Sequence, residues 1–261
     1  MKLTTSDLDT YVKERHRRQI QSLAIKPILA VAMAGADAAS ASFVRAKEHY
    51  GDDIGVTLQI KSTQKPVELM KQIETWNQQK DISGIIIQLP LPSAFDTEAA
   101  IKLIAAAKDV DGLKADSPFD SPAAKGIMWL LGSLPISIKS AYVAVVGQGR
   151  LVGAPISTML ESSGAKVERL DDATKNLAAK TRACDIIISA TGQPGLINRS
   201  MLKSGVIVID AGTAEASGSI TGDADPALYD DPDIQVTPVP GGVGPLTVAA
   251  LFDNLLIASQ L

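Results

Sequence analysis

The sequence predicts an α/β protein of two domains, and three observations support this. Short apolar runs alternate with helical segments, as in a parallel sheet covered on both faces. The alternation stops at 109–126, a stretch rich in Pro, Asp and Ser. It then resumes with an apolar run that leads directly into a glycine-rich turn. We expect one domain over residues 1–121, a second over 122–244, and a C-terminal helix within 245–261 that returns to the first domain.

Composition narrows the class of partner. The chain has 261 residues, of which 46% are hydrophobic, so it can bury a substantial core. Its net charge of -4 provides no basic field for nucleic acid or an anionic membrane, so we expect small-molecule partners. The single cysteine, Cys184, lies in an apolar run and is expected to be a buried, inert thiol. No apolar stretch has the length of a signal peptide or membrane span, which predicts a cytoplasmic protein.

The first domain is expected to begin with a charged helix and then to alternate between strands and helices. Helix-capping residues, short β-branched runs and turn-forming glycines set the boundaries. The predicted order is helix 5–23, strand 28–33, helix 42–51, strand 55–60, helix 66–79, strand 84–88 and helix 97–107.

The second domain repeats this alternation after the interruption at 109–126, which we interpret as a loop and hinge. The predicted order is strand 141–146, helix 155–163 and strands 166–170, 185–189 and 206–210. The apolar segment 246–256 has helical spacing and is expected to pack on the first domain.

A glycine-rich turn joins strand 141–146 to the helix that follows. Its spacing, GxGxxxG, is a variant of the dinucleotide fingerprint, in which free backbone N–H groups at a helix start favour a pyrophosphate. A tight turn that binds nothing is the alternative. The turn predicts a Rossmann-like dinucleotide-binding domain. The expected cofactor-binding residues of the turn are Gly147, Gln148, Gly149, Arg150, Leu151, Val152 and Gly153.

Asp171 and Asp172 stand about 20 residues further on, where the fingerprint has an acidic side chain at the end of the next strand. A carboxylate there accepts hydrogen bonds from the ribose hydroxyls and repels a 2′-phosphate, so NAD is favoured over NADP. The alternative is that both aspartates cap the following helix. Arg150 is also able to hold a phosphate, which would oppose the preference.

Four ordered stretches of the chain form a recognisable set: 39–47, 84–92 (which contains Gln88-Leu89-Pro90-Leu91-Pro92), 108–112 and 237–247. Supporting stretches lie at 147–155, 189–195 and 208–212. Together they resemble the bifunctional methylenetetrahydrofolate dehydrogenase/cyclohydrolase family. The resemblance implies a homodimeric enzyme of one-carbon metabolism that uses a tetrahydrofolate derivative and a nicotinamide dinucleotide. It implies oxidation of the methylene substrate and hydrolysis of the methenyl product.

The resemblance also implies that the first domain binds the folate substrate and carries the catalytic residues. Lys47 matches the catalytic lysine, Gln88 the glutamine that holds it, and Asp111 the aspartate that hydrogen-bonds the pteridine ring. Phe43 lies one helical turn before Lys47 and would face the same cleft. Without the resemblance, Lys47 would be interpreted as a solvated helix lysine and Asp111, like Asp109, as a turn residue.

Further contacts are implied for a rigid turn and for two cofactor loops. Pro240, Gly241, Gly244 and Pro245 are expected to contact the substrate. Thr191, Gly192 and Thr247 are expected to contact the cofactor. His16 and His49, the only histidines, lie in no ligand pattern, so no metal site is expected.

The chain departs from the family pattern at three places. Phe43 replaces a tyrosine, which puts hydrolysis in doubt; Gln148-Gly149 replaces Arg-Ser, which favours NAD; and 112–126 is shortened. Two alternatives follow. One is a folate- or dinucleotide-binding protein with impaired catalysis, against which the retained Lys47 argues. The other is a two-domain dehydrogenase of amino-acid or shikimate type, which would lack the motifs around Gln88 and Pro240.

Overall fold

The computed structural model describes residues 2–35, 38–216 and 219–261, and the chain divides into two compact units. The first unit consists of Tyr11–Pro122 and Val248–Leu261; the second consists of the residues up to Thr10 and Ala123–Thr247. Each unit contains a parallel sheet with helices, which confirms the predicted α/β fold. The C-terminal residues belong to the first unit, as predicted. No described helix is long and apolar enough to cross a membrane.

The first unit has a parallel three-stranded sheet in the order β2-β1-β3. Its strands are β1 (Ile28–Ala34), β2 (Thr57–Thr63) and β3 (Ile82–Ile87). Its helices are α1 (Ser6–Ser22), which begins in the second unit, α2 (Ala38–Ile54), α3 (Pro66–Gln78) and α4 (Thr97–Leu103), followed by a 3-10 turn at Ala106–Lys108.

Helical spacing of large apolar side chains explains the packing of α3. Leu69, Ile73 and Trp76 recur at intervals of four and three residues and are fully or almost fully buried. They pack in one cluster with Ile85 and Ile87 of β3. A helix with one apolar stripe is stable only when that stripe is covered, so α3 lies on the sheet.

The second unit has a parallel five-stranded sheet in the order β10-β7-β6-β4-β5. Its strands are β4 (Tyr142–Val146), β5 (Lys166–Leu170), β6 (Ile186–Ser189), β7 (Ile207–Asp210) and β10 (Gln235–Val236); β8 (Ala214–Ala216) and β9 (Ser219–Thr221) form a separate antiparallel pair. Its helices are α5 (Pro122–Ser133), α6 (Gly153–Ser162) and α7 (Leu177–Arg182), and α8 (Val243–Ala258) begins here and ends in the first unit.

Several parts of the chain differ from the sequence-based expectation. The strand expected at 55–60 is Thr57–Thr63, and the helix expected at 97–107 ends at Leu103. The segment 109–126 is not a loop to its end, because α5 begins at Pro122, where the fixed φ of proline suits the first turn of a helix. Residues 2–5 lie in the second unit, although the sequence analysis groups them with the first domain. The Leu3 amide donates to the Val236 carbonyl at 2.8 Å, which adds this segment to the edge of the sheet at β10.

Candidate active site

Lys47 and Gln88 meet in the first unit. Gln88 follows β3, and its backbone amide donates to the Ala32 carbonyl at 2.8 Å, so its position continues the sheet. Its side-chain amide donates to the Leu89 carbonyl at 2.9 Å, which leaves its Oε1 to accept from Lys47 Nζ at 3.0 Å. The amide orientation is therefore fixed, and it presents an acceptor to the lysine.

Lys47 and Asp111 perturb each other electrostatically. Burial lowers the pKa of the Lys47 ammonium, while the charge of Asp111 opposes that change. Burial also raises the pKa of Asp111 to about 6; the Lys47 charge lowers it and the Asp109 charge raises it further. Both groups therefore have protonation equilibria closer to neutral pH than usual, as acid/base groups require.

The loop that carries Asp111 is shaped by its neighbour Asp109. Asp109 is fully buried, and its carboxylate accepts from the backbone amides of Leu113 at 3.2 Å and Lys114 at 2.9 Å. The structure therefore assigns the turn-forming role to Asp109, as expected from the sequence. Within the described residues, Asp111 makes no side-chain hydrogen bond, so its carboxylate remains able to accept donors from a ligand.

Asn254, which lies in none of the sequence motifs, holds this loop from the C-terminal helix. Asn254 is 1% exposed, and its Nδ2 donates to the carbonyls of Val110 and Asp120, both at 2.9 Å. These two carbonyls flank the Asp111-Gly112 turn. Its position near the end of an apolar helix was the available signal, since a buried asparagine needs partners.

Phe43, one turn before Lys47 on α2, is partly exposed.

The glycine-rich turn of the second unit has the backbone geometry that the fingerprint requires. Gly147 has φ +89, and a Cβ at Gly153 would collide with the Gly147 carbonyl, so helix α6 can start only this close to the strand with glycine. A Cβ at Gly149 would meet nothing within 4 Å, which leaves open space above the backbone. No side chain caps α6 at Val152.

This turn lies where the strand order reverses. From β4 the chain passes to β5 on one side and then to β6 on the other. The Gly147 amide donates to the Leu170 carbonyl and the Ala190 amide to the Val146 carbonyl, both at 2.8 Å. The glycine turn, the residues after β5 and those after β6 thus adjoin at the carboxyl edge of the sheet, where open α/β sheets bind ligands.

The side chains expected near the cofactor ribose differ in their hydrogen bonds and exposure. Gln148 turns inward: its Nε2 donates to the Val145 carbonyl at 2.9 Å. Asp171 does not cap α7, whose first turn is preceded by Asn176; its Oδ1 accepts from the Ala173 amide and the Thr174 hydroxyl. Asp172 is exposed. The helix-capping alternative for the aspartates is therefore wrong.

The remaining predicted residues occupy two loops of the second unit. Thr191 and Gly192 follow β6, and Asp223 accepts from the Thr191 amide at 2.7 Å. Pro240 and Gly241 lie in the turn that connects β10 to α8. Gly244 and Pro245, expected in the same turn, instead lie with Thr247 in the first turns of α8. Thr5, which the sequence analysis also missed, donates from its hydroxyl to the carbonyls of Gly241 at 2.9 Å and Gly242 at 3.0 Å.

The structure thus brings Lys47, Gln88 and Asp111 together in one unit and gathers the glycine turn, Asp171 and Thr191 along one sheet edge in the other. Two surface hollows of about 410 and 310 Å³ are lined by none of the predicted site residues. Within the described part of the chain, no group of three or more His, Cys, Asp or Glu side chains is arranged to hold a metal ion.

Comparison with known proteins identifies two matching family descriptions. Residues 2–111 match "Tetrahydrofolate dehydrogenase/cyclohydrolase, catalytic domain" and residues 121–261 match "Tetrahydrofolate dehydrogenase/cyclohydrolase, NAD(P)-binding domain". The chain is 37% identical over 261 residues to the bifunctional protein FolD of Hydrogenobaculum sp., with 95% of this chain and 94% of that protein covered. It is 36% identical over 265 residues to FolD of Bordetella petrii, at 95% and 90% coverage.

Solved structures agree with this similarity. The bifunctional FolD of Campylobacter jejuni superimposes with a TM-score of 0.93 at 31% identity, covering 100% of this chain and 98% of that one. The enzyme of Trypanosoma brucei, solved with NADP and an inhibitor, gives 0.92 at 27% identity, covering 100% and 97%. Shikimate dehydrogenase of Aquifex aeolicus gives only 0.55 at 16% identity, covering 92% and 94%, and shares the fold alone.

Proposed function

The chain belongs to the tetrahydrofolate dehydrogenase/cyclohydrolase family, and from that premise we propose which of its residues perform each reaction. The enzyme oxidises 5,10-methylenetetrahydrofolate to the methenyl form with a nicotinamide dinucleotide and hydrolyses the methenyl form to 10-formyltetrahydrofolate. The first unit supplies the acid/base groups, and the second unit holds the dinucleotide. The observation that carries this proposal is the hydrogen bond from Lys47 to Gln88 beside the charge of Asp111.

Hydrolysis depends on the amine of Lys47. Because burial lowers the pKa of Lys47, more of the amine is neutral near pH 7 than for an exposed lysine. The neutral amine accepts a proton as water adds to the methenyl carbon. When the carbon–nitrogen bond then breaks, the ammonium returns that proton to the leaving nitrogen, and the hydroxyl of the adduct releases its proton to solvent as the formyl carbonyl forms. Gln88 keeps Nζ in place through both steps by accepting one of its hydrogens.

Asp111 binds the substrate. Its carboxylate has no hydrogen-bond partner among the described residues and accepts two N–H groups from the amino-pyrimidinone edge of the pteridine. Phe43 provides an aromatic face for stacking without the hydroxyl that a tyrosine would add. The family resemblance assigns folate contacts to Pro240, Gly241, Gly244 and Pro245 as well. Asp111 thus acts through binding, and Lys47 through proton transfer.

Oxidation depends on positioning. The dinucleotide, when bound, accepts the hydride and so supplies the redox chemistry. Its pyrophosphate fits the open backbone at Gly149 and the uncapped start of α6, and the residues from Gly147 to Gly153 hold it there. Thr191, Gly192 and Thr247 contact the nicotinamide half. No residue of this chain needs to transfer a proton in this step.

We infer a preference for NAD over NADP. Asp171 and Asp172 follow β5 at the place of the ribose, and Oδ2 of Asp171 makes no hydrogen bond within the described residues. Gln148 points inward and carries no charge. Arg169, the nearest cation along β5, is paired in bidentate fashion with Glu161 at 2.9 and 2.8 Å. A 2′-phosphate would therefore face carboxylates.

The test is the reduction of NAD and NADP with 5,10-methylenetetrahydrofolate, with methenyl absorbance followed in the same sample. We expect kcat/KM for NAD to exceed that for NADP by roughly tenfold. Asp171→Ser should reduce this ratio, whereas Asp230→Ser, which removes an exposed carboxylate from a turn elsewhere in the second unit, should leave it unchanged. A preference for NADP would overturn the role of Asp171, and absence of reduction with both would overturn the dehydrogenase assignment.

We further infer that the enzyme is a homodimer that works in the cytoplasm, as the family resemblance implies. Size-exclusion chromatography with light scattering should give twice the chain mass of 27.3 kDa. A monomer at micromolar concentration would contradict this inference.

A further inference from the structure

A fully buried carboxylate holds the loop that follows β6. Asp223 is 0% exposed. Its Oδ2 accepts from the Ser189 hydroxyl at 2.6 Å and the Thr191 amide at 2.7 Å, and its Oδ1 accepts from the Gln193 amide at 2.9 Å. Ser189 ends β6, and Thr191 and Gln193 flank Gly192. Both oxygens of one side chain therefore fix the backbone of this loop.

A second buried carboxylate holds Asp223 itself. Asp210, at the end of β7, is 1% exposed, and it accepts from the amides of Gly212 at 3.0 Å, Asp223 at 3.0 Å and Ala224 at 2.8 Å. A Cβ at Gly212 would collide with the Asp223 carboxylate, so the chain passes directly against it. The segment that carries Asp223 is thus anchored to the sheet before it contacts the loop.

This arrangement is more than the fold requires. Neutral acceptors would satisfy the Thr191 and Gln193 amides at lower cost, because burying a carboxylate is expensive unless several donors surround it. A charged acceptor shortens and orients each hydrogen bond, so it restricts the loop more strongly than a carbonyl or hydroxyl would. Such restriction matters at a loop whose atoms must match a ligand.

We propose that Asp223 is a positioning residue for the dinucleotide, a role that rests on the proposed function of Thr191 and Gly192. It does not touch the dinucleotide. It fixes the direction of the Thr191 and Gln193 amides, so that the residues between them present one conformation to the nicotinamide half. Without it the loop samples several conformations, and binding must select one of them, which weakens affinity.

The test uses Asp223→Asn, which preserves size but has a single acceptor oxygen for donors on both sides. At least one hydrogen bond to the loop is lost, and an N–H group faces another N–H group. We expect the Kd and KM for the dinucleotide to rise roughly tenfold or more, since hydrogen bonds to charged groups are the stronger ones. Hydrolysis of 5,10-methenyltetrahydrofolate, which needs no dinucleotide, should stay within about twofold.

The matched control is Asp225→Asn. Asp225 lies two residues further on, and its Oδ1 caps a surface turn by accepting from the Ala227 amide at 2.9 Å, a role that asparagine can keep. This variant should keep dinucleotide affinity. Ser189→Ala, which removes one donor and keeps the carboxylate, is a milder second variant should Asp223→Asn fold poorly, and it should raise the Kd severalfold.

The outcomes separate this proposal from the proposed function. An unchanged Kd in Asp223→Asn and Ser189→Ala, or an equal fall of both activities, would overturn the positioning role. A wild-type enzyme that binds the dinucleotide without reducing it would overturn the dehydrogenase assignment alone, and calorimetric Kd values would still decide the role of Asp223. A wild-type protein that binds neither NAD nor NADP would overturn both.

Discussion

Asp223 of the second unit and Asp111 of the first unit differ in the donors that surround their carboxylates. In the second unit, Asp223 is surrounded by three donors within 2.9 Å and is anchored by Asp210. In the first unit, Asp111 has no side-chain hydrogen bond among the described residues, and burial raises its pKa to about 6. Lys47, beside it, has a pKa that burial lowers.

This difference distinguishes a carboxylate with a structural role from one that can bind a ligand. Donors around a buried carboxylate stabilise its charge and occupy the oxygen atoms that could otherwise accept hydrogen bonds from a ligand. A carboxylate that is desolvated without donors is poorly stabilised, so its free energy falls when a ligand supplies the missing N–H groups. Asp223 thus fixes the backbone of a loop in the second unit, whereas Asp111 in the first unit is available to a ligand.

Replacement of Lys47 should have the largest effect on activity. Lys47→Met keeps the length of the side chain but removes the amine, so we expect hydrolysis of methenyltetrahydrofolate to fall about 10²-fold or more. The decay of methenyl absorbance measures this, and the Kd for the dinucleotide should not change. Lys71→Met, on the exposed side of α3, is the control. Hydrolysis within about tenfold of wild type would contradict the role of Lys47.

Asp111 should make substrate binding depend on pH. The carboxylate must be ionised to accept two N–H groups, so the KM for methylenetetrahydrofolate should rise as the pH falls through about 6. Asp111→Asn should raise KM by roughly tenfold at neutral pH and abolish the dependence. A titration of KM between about pH 5 and 8 measures both effects. A wild-type KM that is flat over this range would contradict the assignment.

The same substitution should stabilise the fold. Because the folded-state pKa of Asp111 is raised from 3.8 to about 6, the stability present at low pH is lost as the pH rises through about 6. Asparagine removes that cost, which is on the order of 1 kcal/mol at neutral pH after allowance for partial exposure. Thermal unfolding at pH 7 should show a higher Tm for Asp111→Asn.

Replacement of Asn254 should have a smaller effect, on both stability and folate binding. Asn254→Leu keeps the volume but leaves the carbonyls of Val110 and Asp120 unsatisfied, at a cost of about 1–3 kcal/mol in the free energy of unfolding. Because the Asp111 turn is then released, the KM for the folate should rise severalfold while the Kd for the dinucleotide stays constant. Urea unfolding and steady-state kinetics measure the two effects.

Asn77→Leu is the matched control for Asn254. Asn77, in α3, holds the end of α4 and the residues after it, donating to the Leu103 carbonyl at 2.6 Å and accepting from the Ala105 amide at 2.9 Å. It should lose similar stability without a change in the folate KM. Equal KM changes in the two variants would show that Asn254 has a structural role only.

Features that local patterns encode could be predicted from the amino-acid sequence. Apolar runs and helical spacing gave the order of strands and helices, because side-chain burial repeats with the period of the element. The glycines at 147 and 153 predicted the strand-to-helix turn, since a side chain at either position is sterically excluded. Lys47, Gln88 and Asp111 were found through the family resemblance, and the structure joins Lys47 to Gln88 by a hydrogen bond.

Hydrogen bonds between polar groups that are remote in sequence could not be predicted and are known only from the folded structure. Asn254 reaches a carbonyl 144 residues away, Asp223 an amide 32 residues away, and Thr5 a carbonyl 236 residues away. Backbone amides and carbonyls have the same chemistry at every position, so no sequence pattern marks the one that a given side chain will reach. These partners follow from the packing of the sheets and helices, which fixes distances between residues that are remote in sequence.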